Sequence, residues 1–417
     1  METRRRKFLP FLFLFLICFF YIIYATFLLD EKIFVDYDTL GNGRIYRPLR
    51  PRHIILNDAT SWKWRPISAV APSSLDAHTT IDDGRLAEKE GAVEDPSCKY
   101  MRPWQAGSFP TCNSVHELEF RGDGIAGDTG GHVSYLGRGG GRDVWKMTDI
   151  GGERAVVKTL KQSRDFVPLQ YYMQNTDALV MERLTFSPHV VGIHGYCGQT
   201  CINEFADGGD YNKIKDKKMK GEEKLKYAVR VAESVRDLQE IDDRTGLTGG
   251  RNATVVHGDV SASNFVLVNG VIKLNDFNMA RLLKWNPNTN APCQWKYGYV
   301  CGGDGRRADT RSPEECRDDN LTEKVDTWGV GVMLYIILTG ERPFKLNEIK
   351  NSDNTILRKL ILDGVLPTVP EKFQKSSDKA IKALLEAMEM TFTFDPEKRP
   401  SARHISDFLS GKLKELR

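Results

Sequence analysis

Residues 257–264 read HGDVSASN, and residues 273–278 read KLNDFN. Between them lie two apolar runs, 265–268 and 271–274, joined by Asn269-Gly270. An Asn-Gly pair between β-type runs favours a two-residue hairpin turn, because both central residues must take φ > 0. The spacing therefore predicts that a tight hairpin returns Asp276 to the loop that carries Asp259 and Asn264. Two carboxylates and an amide converging in this way can hold Mg²⁺ and orient a hydroxyl, an arrangement suited to phosphoryl transfer.

Working outward, the small sheet-rich part of the chain comes first. Residues 132–137, 142–147 and 153–160 read as three short strands with glycine-rich connections, followed by helical spacing over 165–184 and two more strands at 190–196 and 200–205. Beyond them the reading turns helical. Residues 222–241 carry Leu225, Val229, Ala232, Val235 and Leu238 on one helical face, and 325–338 and 377–390 read as further helices. Sheet first and helices after predict two lobes with a cleft between them. The glycine-rich stretch LGRGGGRDV, residues 136–144, falls at a strand-turn-strand, where backbone N–H groups can close over phosphates without side-chain clash. Lys158 ends the strand that follows.

Taken in order, these motifs resemble those of the protein-kinase-like superfamily over residues 120–415, with an N-lobe at 120–206 and a C-lobe at 207–415. The turn with Gly137, Gly139 and Gly141 resembles the nucleotide loop, and Lys158 the strand lysine of the α/β-phosphates. Residues 203–206, NEFA, resemble the hinge that pairs with adenine through its backbone, at Glu204 and Ala206. Asp210 then falls at a ribose contact. Asp259 and Asn264 resemble the catalytic loop, and Asp276 the metal-binding aspartate. Ser312-Pro313-Glu314 resembles the end of the activation segment, and Asp326 opens the helix buried in the large lobe. Arg399 resembles the arginine that pairs with that segment's glutamate, here Glu314.

The resemblance implies an α+β, bilobal fold that binds ATP and Mg²⁺. Asp259 would take or orient the acceptor proton, Asn264 and Asp276 would hold Mg²⁺, and Lys158 would neutralise phosphate charge. The carboxylate partner of Lys158 is expected at Asp177, with Glu182 as the alternative. The acceptor is expected to be a protein Ser, Thr or Tyr hydroxyl. A glycan acceptor, and a binding module without catalysis, are the alternatives. The second of these draws on four departures from the family pattern. Arg142 stands where the third loop glycine belongs, Gly258 replaces the arginine before the catalytic aspartate, Ser261 replaces a lysine, and Asn278 replaces the glycine of the metal triplet.

The rest of the chain bears on placement. Its 417 residues accommodate one large domain or two ordinary ones with tails, and the net charge of +3 does not point to nucleic acid. The lysine-rich stretch 213–220 reads as a solvated surface. Arg4-Arg5-Arg6-Lys7 precedes an uncharged apolar run over residues 8–29, long enough for a bilayer-spanning helix and without a small-residue cleavage site. The expectation is a basic cytosolic tail (1–7), a transmembrane signal-anchor (8–29) and a stem (30–115). The kinase-like domain would then lie in the secretory-pathway lumen or outside the cell. Eight cysteines suit such a compartment. Local bridges are expected within Cys98/Cys112, Cys197/Cys201 and Cys293/Cys301/Cys316, and one of the seven beyond the anchor is left over. Asn252 and Asn320 are glycosylation acceptors in form.

Overall fold

The structure is a computed structural model. It describes residues 95–106, 112–116, 132–148, 152–164, 168–213, 215, 218–242, 253–297, 301–302, 307–347 and 353–417. The expected tail, anchor, most of the stem and Asn252 lie outside these residues. No helix among the described residues is long and apolar enough to cross a membrane.

In chain order the first elements are strand β1 (Lys99–Tyr100) and helix α1 (Cys112–His116). Strands β2 (His132–Arg138), β3 (Arg142–Thr148) and β4 (Arg154–Leu160) follow, then helix α2 (Pro168–Arg183) and strands β5 (Ile193–Cys197) and β6 (Thr200–Glu204). These five strands, β2 to β6, form one antiparallel sheet in the order β2-β3-β4-β6-β5. Alternation along the strands buries Met147, Val157 and Ile202 against Val115 of α1. Ala178 of α2 packs with Tyr196 and Cys201 in a second cluster.

The chain continues through β7 (Gly209–Asp210), helix α3 (Gly221–Gln239) and β8 (Val255–Val256). Strands β9 (Phe265–Val268) and β10 (Val271–Leu274) then pair antiparallel, Val268 opposite Val271. Their turn residues Asn269 and Gly270 have φ of 49° and 76°, the left-handed pair that a tight hairpin turn requires. Strands β11 (Arg281–Leu282), β12 (Lys284–Asn286) and β13 (Ala291–Pro292) follow. The helical remainder comprises α4 (Pro313–Arg317), α5 (Lys324–Thr339), α6 (Asn354–Leu362), α7 (Glu371–Gln374), α8 (Lys379–Thr391) and α9 (Ala402–Glu415).

Helix α5 is buried from Val325 to Leu338, and α3, α8 and α9 pack in the same large core. The apolar face read in α3 is the face that is buried: Leu225, Val229, Ala232, Val235 and Leu238 all line that core. Arg399 lies fully inside the helical part. It donates to both carboxylate oxygens of Glu314, at 2.6 and 3.0 Å, which satisfies the buried charge on each side.

Three disulfides correct the expectation of local bridges. Cys301 pairs with Cys316, but Cys98 pairs with Cys293 and Cys112 with Cys197, across 195 and 85 residues. The physical reason is a strap that sequence patterning treats as stem. Strand β1 pairs with β12, Lys99 opposite Trp285, and Asn286 Nδ2 donates to Asp95 Oδ2 at 2.8 Å. Gln105 is buried and donates Nε2 to the carbonyls of Thr254 and Leu283. Trp104 Nε1 donates to Asp242. The odd cysteine is Cys201, buried on β6.

Candidate active site

Strand β8 delivers the chain to the loop at 257–264. His257 is fully buried, its Nδ1 accepts from the Asp259 N–H at 3.2 Å, and its Nε2 lies 3.3 Å from the Asn275 carbonyl. These partners fit the neutral ring, and burial pulls the His257 pKa below its ordinary value. Asp326, at the start of α5, accepts the N–H groups of His257 and Gly258 at 2.7 and 2.8 Å. The loop is thus fastened from below before any substrate is considered.

Asn264 ends the loop. Its Nδ2 donates to both the carbonyl and Oδ2 of Asp259, each at 2.8 Å, which leaves Oδ1 for a cation. The Asn264 carbonyl accepts the Asn275 N–H at 2.8 Å, so the β9–β10 hairpin closes Asp276 onto the loop as its spacing predicts. Asp276 itself takes the left-handed conformation, φ 64°. Asn278, which replaces the glycine of the metal triplet, sits in a 3₁₀ turn over Phe277–Met279. The next residue, Phe277, reaches the core, where it is fully buried against His257 at 4.8 Å between ring centroids.

Asp276 Oδ1 is a buried oxygen with no hydrogen-bond partner. Arg142 Nη2 stands 3.7 Å from it, beyond hydrogen-bond reach, so the oxygen keeps its capacity to bind a metal ion. With Asn264 Oδ1 it makes an all-oxygen donor set of the kind Mg²⁺ takes. The residues present therefore fit the metal that the resemblance implies.

On the sheet side, Gly139 N–H donates to the Arg142 carbonyl and closes the glycine turn. A Cβ placed on Gly137 or Gly140 would meet no protein atom within 4 Å, whereas one on Gly141 would meet the Gln170 side chain. The turn therefore leaves open space at Gly137 and Gly140. Lys158 sits on β4 opposite Cys201 of β6, and its Nζ donates to Asn275 Oδ1 at 3.1 Å, next to Asp276.

The expected Lys158–Asp177 ion pair is replaced by another. Asp177 is fully buried on α2, and its Oδ2 pairs with Nη2 of Arg142. Its Oδ1 accepts the Phe277 N–H at 2.7 Å. Burial alone pushes the Asp177 carboxyl up, but Arg142, and then Lys158, outweigh it and hold it below its ordinary value. Glu182 cannot share the role: five positions on a helix turn it about 140° away from Asp177. Arg142, read as a missing glycine, is a buried cation that also lies 3.7 Å from Asp276 Oδ1.

At the hinge, Ala155 of β4 opposes Glu204, and the Glu204 carboxylate is held by Lys273 at 2.7 and 2.9 Å. Asn203 is buried, its Nδ2 facing Met181 Sδ and the Gly192 carbonyl. Ala206 and Asp210 follow on the short path to β7, whose Asp210 pairs with Val266 of β9. The sheet thus meets the loop side through Lys158 and Asn275, and the path after the hinge meets the β9–β10 hairpin through Asp210 and Val266.

Two features escaped the sequence reading. Gly258 has φ +72°, and a Cβ there would come within 1.5 Å of Tyr297 Oη, so an arginine beside Asp259 would have to displace that hydroxyl. Arg311, which precedes the Ser312-Pro313-Glu314 run, donates Nη1 to the Gly258 carbonyl and Nη2 to Asp259 Oδ1, both at 2.8 Å. That contact crosses 52 residues and leaves no local signal.

A family model described as protein kinase domain matches residues 132–408. Among curated proteins, the chain is similar to the LRR receptor-like serine/threonine-protein kinase GSO2 of Arabidopsis thaliana. The two are 26% identical over 305 residues, 66% of this chain and 22% of that protein. It is also similar to the serine/threonine-protein kinase tousled-like 2 of Mus musculus, 24% identical over 249 residues, 54% of this chain and 33% of that protein. A third relative is the calcium and calcium/calmodulin-dependent serine/threonine-protein kinase of Lotus japonicus, 26% identical over 235 residues, 54% of this chain and 39% of that protein. The chain thus spans between about a fifth and two-fifths of the length of these relatives.

Proposed function

We propose, from the premise that this chain belongs to the protein kinase domain family, that it transfers the γ-phosphoryl group of ATP to a protein hydroxyl. The observation that carries this reading is the convergence of Asp259, Asn264, Asp276 and Lys158, with a buried Asp276 oxygen that no hydrogen bond satisfies.

In this reading, Asp259 orients the acceptor hydroxyl and takes its proton as the oxygen bonds to the γ-phosphorus and the bond to the leaving ADP breaks. Asn264 and Asp276 hold Mg²⁺, which when bound neutralises phosphate charge. Lys158, already hydrogen-bonded to Asn275, adds positive charge for the phosphates. The backbone at Glu204 and Ala206 receives adenine, and Asp210 faces the ribose. The three relatives named above are serine/threonine kinases by description, which supports a Ser or Thr acceptor ahead of Tyr or a glycan.

The placement belongs to the same proposal. The apolar run 8–29 anchors the chain, and residues from 30 onward face an oxidising lumen or the exterior. Three disulfides in the described residues support that compartment.

The test is a thermal-shift titration with Mg·ATP on the wild type and Asp276→Ala, followed by transfer of labelled phosphate to protein and glycan acceptors. A Mg²⁺-dependent shift lost in Asp276→Ala supports the reading. No shift and no transfer would leave a binding module without catalysis. Glycan absent from Asn320, with the domain digested by protease outside sealed vesicles, would overturn the placement.

A further inference from the structure

The catalytic loop lacks two cations: Gly258 stands in place of an arginine, and Ser261, two residues beyond Asp259, in place of a lysine. Ser261 cannot substitute for the second, since its hydroxyl is short, neutral and 3.0 Å from that of Ser263. A side chain at Gly258 would be strained at φ +72° and would have to displace the Tyr297 hydroxyl. A carboxylate in the role of Asp259 nevertheless needs both its oxygens fixed, because a displaced base costs rate steeply. Asn264 fixes Oδ2 and Arg311 fixes Oδ1.

Arg311 is built for that contact. It is buried, and its fork spans the Gly258 carbonyl and the Asp259 carboxylate at 2.8 Å each, with Glu315 Oε1 at 3.4 Å behind it. Its neighbours are locked. Ser312 caps α4, with its N–H and hydroxyl both donating to Glu315 Oε2, and the Cys301–Cys316 disulfide brackets the segment. A small cavity lined by Gly258, Asp259, Thr310, Arg311, Glu315 and Asp326 lies where the segment meets the loop.

We propose that Arg311 is the positioning residue of this site, supplying from the activation segment the cation that the catalytic loop itself lacks. Resting on the kinase reading above, it deepens that reading. It follows that Asp259 is set for chemistry only while the end of the activation segment is seated against the loop. Seating depends on the capping box and the Cys301–Cys316 bridge rather than on a phosphorylated residue pairing with an arginine at 258.

The test compares full-chain wild type, Arg311→Gln, Arg311→Lys and the double variant Arg311→Gln/Ser261→Lys. The readouts are kcat, KM for ATP and the thermal shift induced by Mg·ATP. Arg311→Gln is expected to lose kcat by about 100-fold, the scale of one positioned electrostatic contact, while KM for ATP and the Mg·ATP shift hold within about twofold. Arg311→Lys is expected to fall between, and Ser261→Lys to restore about tenfold by returning a cation to the loop. Unchanged kcat in folded Arg311→Gln, or a loss that neither lysine relieves, would overturn the proposal and leave Arg311 a structural brace. If Arg311→Gln does not fold, Arg311→Lys decides. Reduced kcat at constant KM supports the role, and wild-type kcat refutes it. A wild type that transfers no phosphate overturns the kinase reading itself, which separates that failure from this one.

Discussion

Arg142 of β3 and Asp177 of α2 form an ion pair with side chains 6% and 0% exposed, and Asp177 also receives the backbone N–H of Phe277. One carboxylate thus ties the sheet, the helix and the turn after Asp276 together. Removing one partner of such a pair strands a buried charge, at a cost of about 3–5 kcal/mol. Arg142→Met is therefore expected to lose stability on that scale in denaturant unfolding. Asp177→Ala loses at least as much, since Phe277 N–H is then orphaned. Lys158→Met, which leaves the Arg142–Asp177 contact in place, is expected to lose less stability than either of these variants while phosphate transfer collapses. Equal destabilisation by Lys158→Met would return the pairing role to that lysine.

Gly258 and Tyr297 occupy one space. Gly258→Ala places a side chain at φ +72°, a conformation that costs about 1–3 kcal/mol before any clash, and the Tyr297 hydroxyl stands 1.5 Å from the new carbon. Tyr297→Ala in the same chain is expected to recover the clash but not the backbone strain. Urea unfolding of the single and double variants measures both parts. Full recovery would show that the glycine is needed only for room.

Burial drives the Asp326 carboxyl from its ordinary 3.8 up to about 7, against the two N–H groups donated by His257 and Gly258. A raised carboxylate pKa means that the native state holds a proton the unfolded chain has lost. Between about pH 4 and 7 this group makes stability fall with rising pH, by up to about 1.4 kcal/mol per unit, and it contributes no further slope above that range. Glu315 and Glu323, also raised by burial, act in the same sense, while His257, lowered by burial, opposes them. The difference between wild type and Asp326→Asn isolates the one carboxyl. The variant's stability is expected to fall less steeply over this window, and parallel curves would contradict the assignment.

The Cys98–Cys293 bond fastens the activation segment to the strap that carries β1. Loss of a bridge closing so long a loop costs about 2–4 kcal/mol. Cys98→Ser is expected to show that loss and to expose the bonds after Lys284 and Lys296 to trypsin. Peptide mapping without reduction should recover Cys98 with Cys293, Cys112 with Cys197 and Cys301 with Cys316. Any other pairing would dismantle the strap.

What could be read from the sequence follows the range of each interaction. The β9–β10 hairpin was legible because Asn269-Gly270 states its own turn geometry, and α3 because its apolar face repeats locally. Asp259, Asn264 and Asp276 share a short stretch, so their convergence could be inferred. Arg142 was read only as an absent glycine, since nothing in RGGGRDV says that the side chain folds inward to an acid on a later helix. Arg311 and the strap cysteines act across 52 and 195 residues, where sequence spacing carries no geometric information. The cations that set Asp177 and Asp259 were thus the least visible part of the site.

The central claim is phosphoryl transfer by the Asp259 loop. Its most direct measurement is transfer of labelled γ-phosphate from Mg·ATP by the full chain, beside Asp259→Ala and Asp276→Ala proteins shown to be folded. The account predicts transfer by the wild type that needs Mg²⁺ and falls by at least about 100-fold in each variant. Transfer that persists unchanged in both folded variants, or a wild type that transfers to no acceptor, would contradict it.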